Sequence, residues 1–530
     1  MATASELNYD TNASAMQMAE TIFGDGTTVI SASYTGDNRA SAIYSGGDTI
    51  APGATPSDTG VILSTGYAAD YTNAAGNGWW SNPSNTNQSN GKSVNNSGIN
   101  NNADFNALAG TNTYDAAWLD VDFVPDGDLM TISFVFASDE YPEYVNSQYL
   151  DMVGIWVNGD PVEMVIGDAS VNNVNPLANS NLYLDNTGDA YNTEMDGLTV
   201  TLSVSFPVVA GQVNSLRIGI ADVSDSSYDS NVLIAGGSVQ STLIALDDDV
   251  WLQPNDSKTI DVLSNDQNGT TGTLTITQIN GINVSAGDSV TLASGEVVTL
   301  NADGTLTIVS DGDEAVESFT YTVQSSTGEA DVGFITVDTV PCFVAGTLID
   351  TPEGMREVET LRAGDLVLTQ DDGAQPLRWI GMRHVEAEGN FAPIRIRAGS
   401  FGAERDVLIS PQHRILVRDP LADLMFGEAE VLVAAKDLVN GSTVTVQEGG
   451  EVCYVHLLFD RHQVIFSEGM ASESFLPGPQ ILGGLEEAVQ AEICALFPEI
   501  DPHTGEGYSP AARRMLRGFE ARALIRRKAA

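Results

Sequence analysis

All five histidines and all three cysteines of this 530-residue chain fall after position 340. Before that point there are four basic residues, Arg39, Lys92, Arg217 and Lys258, against 44 acidic ones, a local net charge of −40. After it come 18 basic and 28 acidic residues, a local charge of −10. A chain so divided is built from separate domains with different chemistry, and Pro341-Cys342 marks the junction. The first part has carboxylates and hydroxyls as its main reactive groups; the second has thiols and imidazoles. At roughly 100–200 residues per domain, the length allows about three to five domains, each with its own core.

The total charge of −50 repels phosphates and anionic lipid, so a nucleic-acid or membrane-surface partner is excluded. With hydrophobic residues at 42%, the chain is too apolar to be a disordered acidic tail. No run of about 18 apolar residues is present, so no membrane-spanning helix is expected. The start, Met1 to Asp10, has neither a basic region nor an apolar run, so no cleavable signal peptide is expected. Three cysteines without metal-finger spacing argue against a disulfide framework.

Short alternating runs such as Leu129–Phe136 and Leu198–Phe206, separated by Gly, Asn and Asp turns, make residues 1–240 an all-β unit with one short helix over 9–22. The Asn/Ser-rich stretch 81–104 reads as a surface loop. Gly60-Val-Ile-Leu-Ser-Thr-Gly66, Phe136-Ala-Ser-Asp-Glu-Tyr-Pro-Glu-Tyr144 and Ile220–Ile234 together resemble the bacterial choice-of-anchor L domain, a secreted or surface β-sandwich. Residues 243–338 have sandwich strand spacing. Their runs Ile260–Asp266, Asp303–Ile308 and Ser318–Val323 resemble bacterial cadherin-like or Ig-like adhesin repeats, modules that act as spacers. Residues 341–480 are again mostly strand. From 482 to 530, Leu485–Phe497 and Pro510–Ile525 carry helical spacing and predict an α-helical tail. The expected fold class is therefore mainly β, with two β-sandwiches, an all-β third domain and a short helical end.

The reactive residues lie in the third domain. Cys342 opens it, and its own nitrogen joins it to the preceding domain. A thiol there can attack the carbonyl before it through a five-membered ring, turning the Pro341–Cys342 amide into a thioester. The shift needs an activated thiol, a proton for the departing nitrogen and fixed geometry. Ser410-Pro-Gln-His413 supplies a hydroxyl and an imidazole on one turn. The strand Val452–Phe459 and the following Asp460-Arg-His462 offer a second imidazole at His462, whereas His456 and Asp460 read equally well as a polar pair on a strand edge. Cys342 with Gly346-Thr-Leu-Ile349, Ser410 with His413, and His462 together resemble the Hint domain shared by Hedgehog autoprocessing regions and inteins. The resemblance implies Cys342 as nucleophile, His413 as proton donor to the leaving amine, Ser410 as its positioning partner and His462 as the residue that resolves the thioester.

The late block, Phe466–Phe475, contains no Asn to cyclise, so cleavage without ligation is expected. Pro341, whose ring restricts attack on its carbonyl, slows that cleavage. No cofactor is implied for it; the substrate is the chain itself, and the acceptor of the thioester is unassigned. The alternative is a structural adhesin with an inactive Hint fold. In the first domain, Asp139, Glu140, Asp151 and Asp229, with Asp222 and Asp225 nearby, group hard oxygens that suit Ca²⁺; solubilising surface charge is the plainer alternative. The modules together lead one to expect a secreted or cell-surface protein.

Overall fold

The computed structural model describes residues 4–524 apart from 74–92, 252–256, 311–316, 339–341, 388–391, 477–495, 498–507, 517–520 and isolated positions. Most of the Asn-rich loop, the first tail helix and Pro341 therefore lie outside the described residues. The chain divides into two compact units, one built mainly from residues up to Thr336 and one from Val337 onward.

In the first unit, two antiparallel sheets form a sandwich. One carries Thr27–Thr35, Thr113–Pro125, Asn214–Val223, Met152–Val157 and Asp160–Pro161 in that order. The other centres on Leu129–Ser138, flanked by Ser230–Ala235 and by Leu202–Pro207 and Gly197–Thr199. Alternation fills the space between them: Leu119, Val121 and Phe123 from one sheet meet Ile132, Phe134 and Phe136 from the other, all buried. The predicted helix over 9–22 is shorter than expected. Asn8–Asp10 pairs as a strand with Ser41–Ser45, and the helix spans Ala15–Ile22. Ser14 and Gln17 cap each other's backbone at its start, which fixes where it begins. The Ig-like segment contributes further antiparallel strands, among them Leu274–Ile279, Glu317–Ser325 and Ala330–Asp338.

The second unit is built on two sheets. The first runs Trp379–Glu386, Glu451–Leu458, Phe343–Val344, Val407–Ile409, Ile394–Ile396 and Val444–Val446. The second contains Leu348–Thr351, Val464–Ser467, Met470–Glu473, Arg414–Arg418 and Glu430–Ala434, and it ends on Arg514–Met515. That last strand corrects the helical expectation at 514–515, whereas Ala521 and Leu524 are helical. Helical spacing from Pro510 onward gives way at 514–515 to parallel pairing with Val431 and Leu432, which satisfies a sheet edge that an early helix would leave open. Ile349, Val367, Ile409, Ile415, Val455 and Ile465 fill the core between the sheets.

Candidate functional site

Sheet register places the candidate nucleophile. Phe343 pairs with Val455 on one side and with Ile409 on the other, both antiparallel. One step back along the chain, Cys342 must therefore face His456 on one neighbour and Ser410 on the other. The contacts follow. The Cys342 N–H donates to Ser410 Oγ at 2.8 Å, and the Ser410 N–H donates back to the Cys342 carbonyl at 3.0 Å. Cys342 Sγ lies 3.5 Å from His456 Nδ1 and 3.4 Å from Nε2, so the sulfur meets the imidazole whichever nitrogen carries the proton. The residue is 6% exposed, and neither it nor Cys453 forms a disulfide among the described residues.

His456 is held by aromatic rings. Trp379 stacks at 27° with centroids 6.4 Å apart, and Phe475 meets it edge-on at 5.4 Å. Asp460 is not its partner: that carboxylate takes a two-pronged ion pair from Arg378, at 2.6 and 2.8 Å. The strand-edge pairing of His456 with Asp460 is thus replaced by a sheet-centre position for His456, opposite the thiol.

His413 follows on the same turn as Ser410, its N–H donating to the Ser410 carbonyl at 3.1 Å. Its ring lies edge-on to Phe343 at 4.3 Å and is 1% exposed. Among the described residues, neither ring nitrogen has a hydrogen-bond partner. Burial, aided by the Arg414 charge and by the nearby His456 and His462 against the opposing pull of Glu473, pushes its pKa down to about 4. At neutral pH it is an uncharged imidazole with one N–H and one lone pair.

Among the described residues, His462 makes no contact with the Cys342 thiol. Its Nε2 lies 3.1 Å from the Ser474 carbonyl and 3.6 Å from Glu473 Oε2, and its Nδ1 accepts the Ala512 N–H at 3.0 Å. Glu473 is fully buried, and burial alone would raise its carboxyl; the Arg414 charge and the neighbouring imidazoles hold it below its ordinary value. Sequence reasoning chose between two histidines six positions apart; the register Phe343–Val455 was the signal needed to see that His456 meets the sulfur.

In the first unit, Asp139, Glu140, Asp151, Asp222 and Asp229 are buried, which overturns the surface-charge alternative for these five, while Asp225 is half-buried. Asp151 accepts from the Val223 N–H at 3.1 Å and the Ser230 hydroxyl at 2.7 Å, and Glu140 accepts from the Asp151 N–H at 3.3 Å. Asp229 accepts from the Val94 N–H at 2.9 Å. Burial and then the Asp151 charge push Glu140 up to about 10. Burial and the charge of neighbouring carboxylates raise Asp151 and Asp222 well above the carboxylate range. Glu140, Asp151 and Asp222 are thereby pushed toward the protonated form, and among the described residues no three His, Cys, Asp or Glu side chains are arranged to hold a metal ion.

Comparison with known families finds three matched stretches. Residues 6–240 match the choice-of-anchor L domain, residues 240–338 the bacterial Ig domain and residues 341–479 the Hint domain. Among solved structures, the gp41-1 intein is similar at 13% identity, covering 25% of this chain and 97% of its own, with a TM-score of 0.17. A bacterial intein-like domain from Clostridium thermocellum is similar at 17% identity, with 25% and 97% covered and a TM-score of 0.18. No curated protein matches the chain.

Proposed function

We propose that this chain, which carries a choice-of-anchor L domain, a bacterial Ig domain and a Hint domain, is an exported modular surface protein that cuts its own backbone before Cys342. The observation that carries the reading is the position of Cys342 between the Ser410 hydroxyl and the His456 ring. Cys342 Sγ attacks the Pro341 carbonyl carbon as His456 takes the thiol proton. The carbon–nitrogen bond then breaks, and the Cys342 nitrogen receives a proton through His413, which takes up the thiol proton held on His456 as it gives up its own N–H, so both imidazoles end neutral. Ser410 fixes the amide by accepting its N–H before attack. A thioester then joins Pro341 to Cys342 Sγ. Water, or a nucleophile on an acceptor, attacks that carbonyl; the thiol returns to Cys342 and residues 1–341 leave. Proton transfer of this kind typically contributes about 10²–10⁴-fold each.

The absence of Asn from Phe466–Phe475 favours cleavage without ligation. Purified protein incubated with hydroxylamine tests the reading: fragments of 341 and 189 residues are expected on a denaturing gel, the first ending in a hydroxamate.

Export is supported by the surface-type modules and by an acidic first part without cysteine. No helix among the described residues is long and apolar enough to cross a membrane, which says nothing of a β-barrel. Calcium is proposed for the first sandwich, where the buried Asp151 and Glu140 lie beside Asp222, whose carboxyl shares a hydrogen bond with Asp151. A divalent ion there would displace protons and draw the carboxylates together.

A further inference from the structure

The Hint match ends at residue 479, yet a segment well beyond it reaches the interior of the same domain. Tyr508 donates its hydroxyl to the Phe459 carbonyl at 2.6 Å. Ser509 Oγ accepts the His462 N–H at 2.7 Å, and the Ala512 N–H donates to His462 Nδ1 at 3.0 Å. Arg513 pairs with Glu430 and with Asp371, each at 2.8 Å. Arg514–Met515 adds a parallel strand beside Val431 and Leu432, and the Leu516 N–H donates to the Leu432 carbonyl at 2.8 Å. Leu516, Ala521 and Leu524 are buried in the core of the domain.

We infer that residues 508–516 are a strap that positions His462 by dictating which of its nitrogens carries the proton. A backbone N–H can only donate, so Nδ1 facing Ala512 must be the lone-pair nitrogen. The proton is therefore on Nε2, directed at the Ser474 carbonyl and toward Glu473. The backbone of His462 is pinned by the same segment through Ser509, so ring and main chain are fixed together. Without the strap, Nδ1 would be open and the two neutral tautomers would compete. Ala512 is thus a positioning residue acting through its main-chain nitrogen, and the working domain extends past the family boundary to Leu524.

The consequence for reaction rests on the self-cleavage reading: thioester resolution, assigned to His462, depends on the strap, whereas formation of the thioester does not. The test uses the full chain labelled with ¹⁵N-histidine, in a Cys342→Ala background that cannot react, with His462 identified by its loss in His462→Gln. The nitrogen spectrum of His462 should show a lone-pair Nδ1 and a protonated Nε2. Ala512→Pro, which removes the donor, should mix the tautomers; Ala512→Gly, which keeps it, should restore the parent pattern. A parent pattern retained in Ala512→Pro overturns the inference, as does a parent spectrum with the proton on Nδ1. Should Ala512→Pro fail to fold, Ser509→Ala combined with Tyr508→Phe loosens the strap while leaving every backbone donor in place, and the same loss is expected. In the reactive chain, Ala512→Pro should slow resolution of the thioester at least fivefold relative to Ala512→Gly with hydroxylamine trapping unchanged. Equal resolution rates would remove the strap from the chemistry. If no variant, nor the parent, yields a trappable species, the self-cleavage reading fails while the tautomer result still decides the strap.

Discussion

Cys342 and Ser410 exchange two hydrogen bonds: the Cys342 N–H reaches Ser410 Oγ at 2.8 Å and the Ser410 N–H reaches the Cys342 carbonyl at 3.0 Å. The first ties the nitrogen of the proposed scissile bond to a side chain; the second is a main-chain contact that any residue but proline at 410 could make. Ser410→Ala therefore isolates the hydroxyl. It leaves a buried N–H without its acceptor, at a cost of about 1–3 kcal/mol, and should slow thioester formation. Ser410→Thr should retain most of the rate. Equal rates in all three proteins would remove the hydroxyl from the mechanism.

His456, rather than His462, should govern the first step. His456→Ala is expected to reduce hydroxylamine-trapped product by about 10²-fold or more, because it removes the only imidazole recorded within hydrogen-bonding distance of Sγ among the described residues. His462→Ala should leave trapping intact and slow only the later resolution. Time courses with and without hydroxylamine separate the two; a reversed pattern would remove His456 from the first step.

Much of this was legible in sequence because it depends on local pattern. Period-two runs such as Leu129–Phe136 identify strands, and Ser410 to His413 is a single turn. The choice between His456 and His462 was not legible, since it depends on how Phe343 registers against Val455, a pairing across more than a hundred residues. The tail misled for a related reason. Residues 510–525 have helical spacing, but at Arg514–Met515 an open sheet edge outweighs local propensity. The carboxylates around Asp151 look like loop charge in a linear reading; only the closed sandwich shows five of them buried, with Glu140, Asp151 and Asp222 pushed toward the protonated form.

His413 makes acid stability diagnostic. Its folded pKa of about 4 lies below its ordinary 6.5. Between those values the unfolded chain binds a proton that the folded one refuses, so stability is lost as pH falls through that window. The maximum contribution is about 3 kcal/mol, on the order of 1.4 kcal/mol per pH unit. His413→Gln should flatten the pH dependence of denaturant midpoints between pH 6.5 and 4 and stall cleavage at neutral pH. An unaltered slope would mean that the imidazole is solvated rather than buried.

Calcium binding to the first sandwich should compete with protons. Because Glu140, Asp151 and Asp222 are held protonated, an ion must displace that hydrogen, and stabilisation should grow as pH rises. A hundredfold excess over Kd adds about 2.7 kcal/mol. Melts in millimolar Ca²⁺ and in chelator should separate by several degrees, more at alkaline than at mildly acidic pH. Coincident melts would leave a proton-sharing carboxyl network with no ion.

The most direct test of the central claim is intact-mass measurement of the purified chain over time, alongside Cys342→Ala. The account predicts two products that divide between Pro341 and Cys342, appearing faster with hydroxylamine and absent from the variant. Identical products from Cys342→Ala, or an uncut parent chain under hydroxylamine, would contradict it.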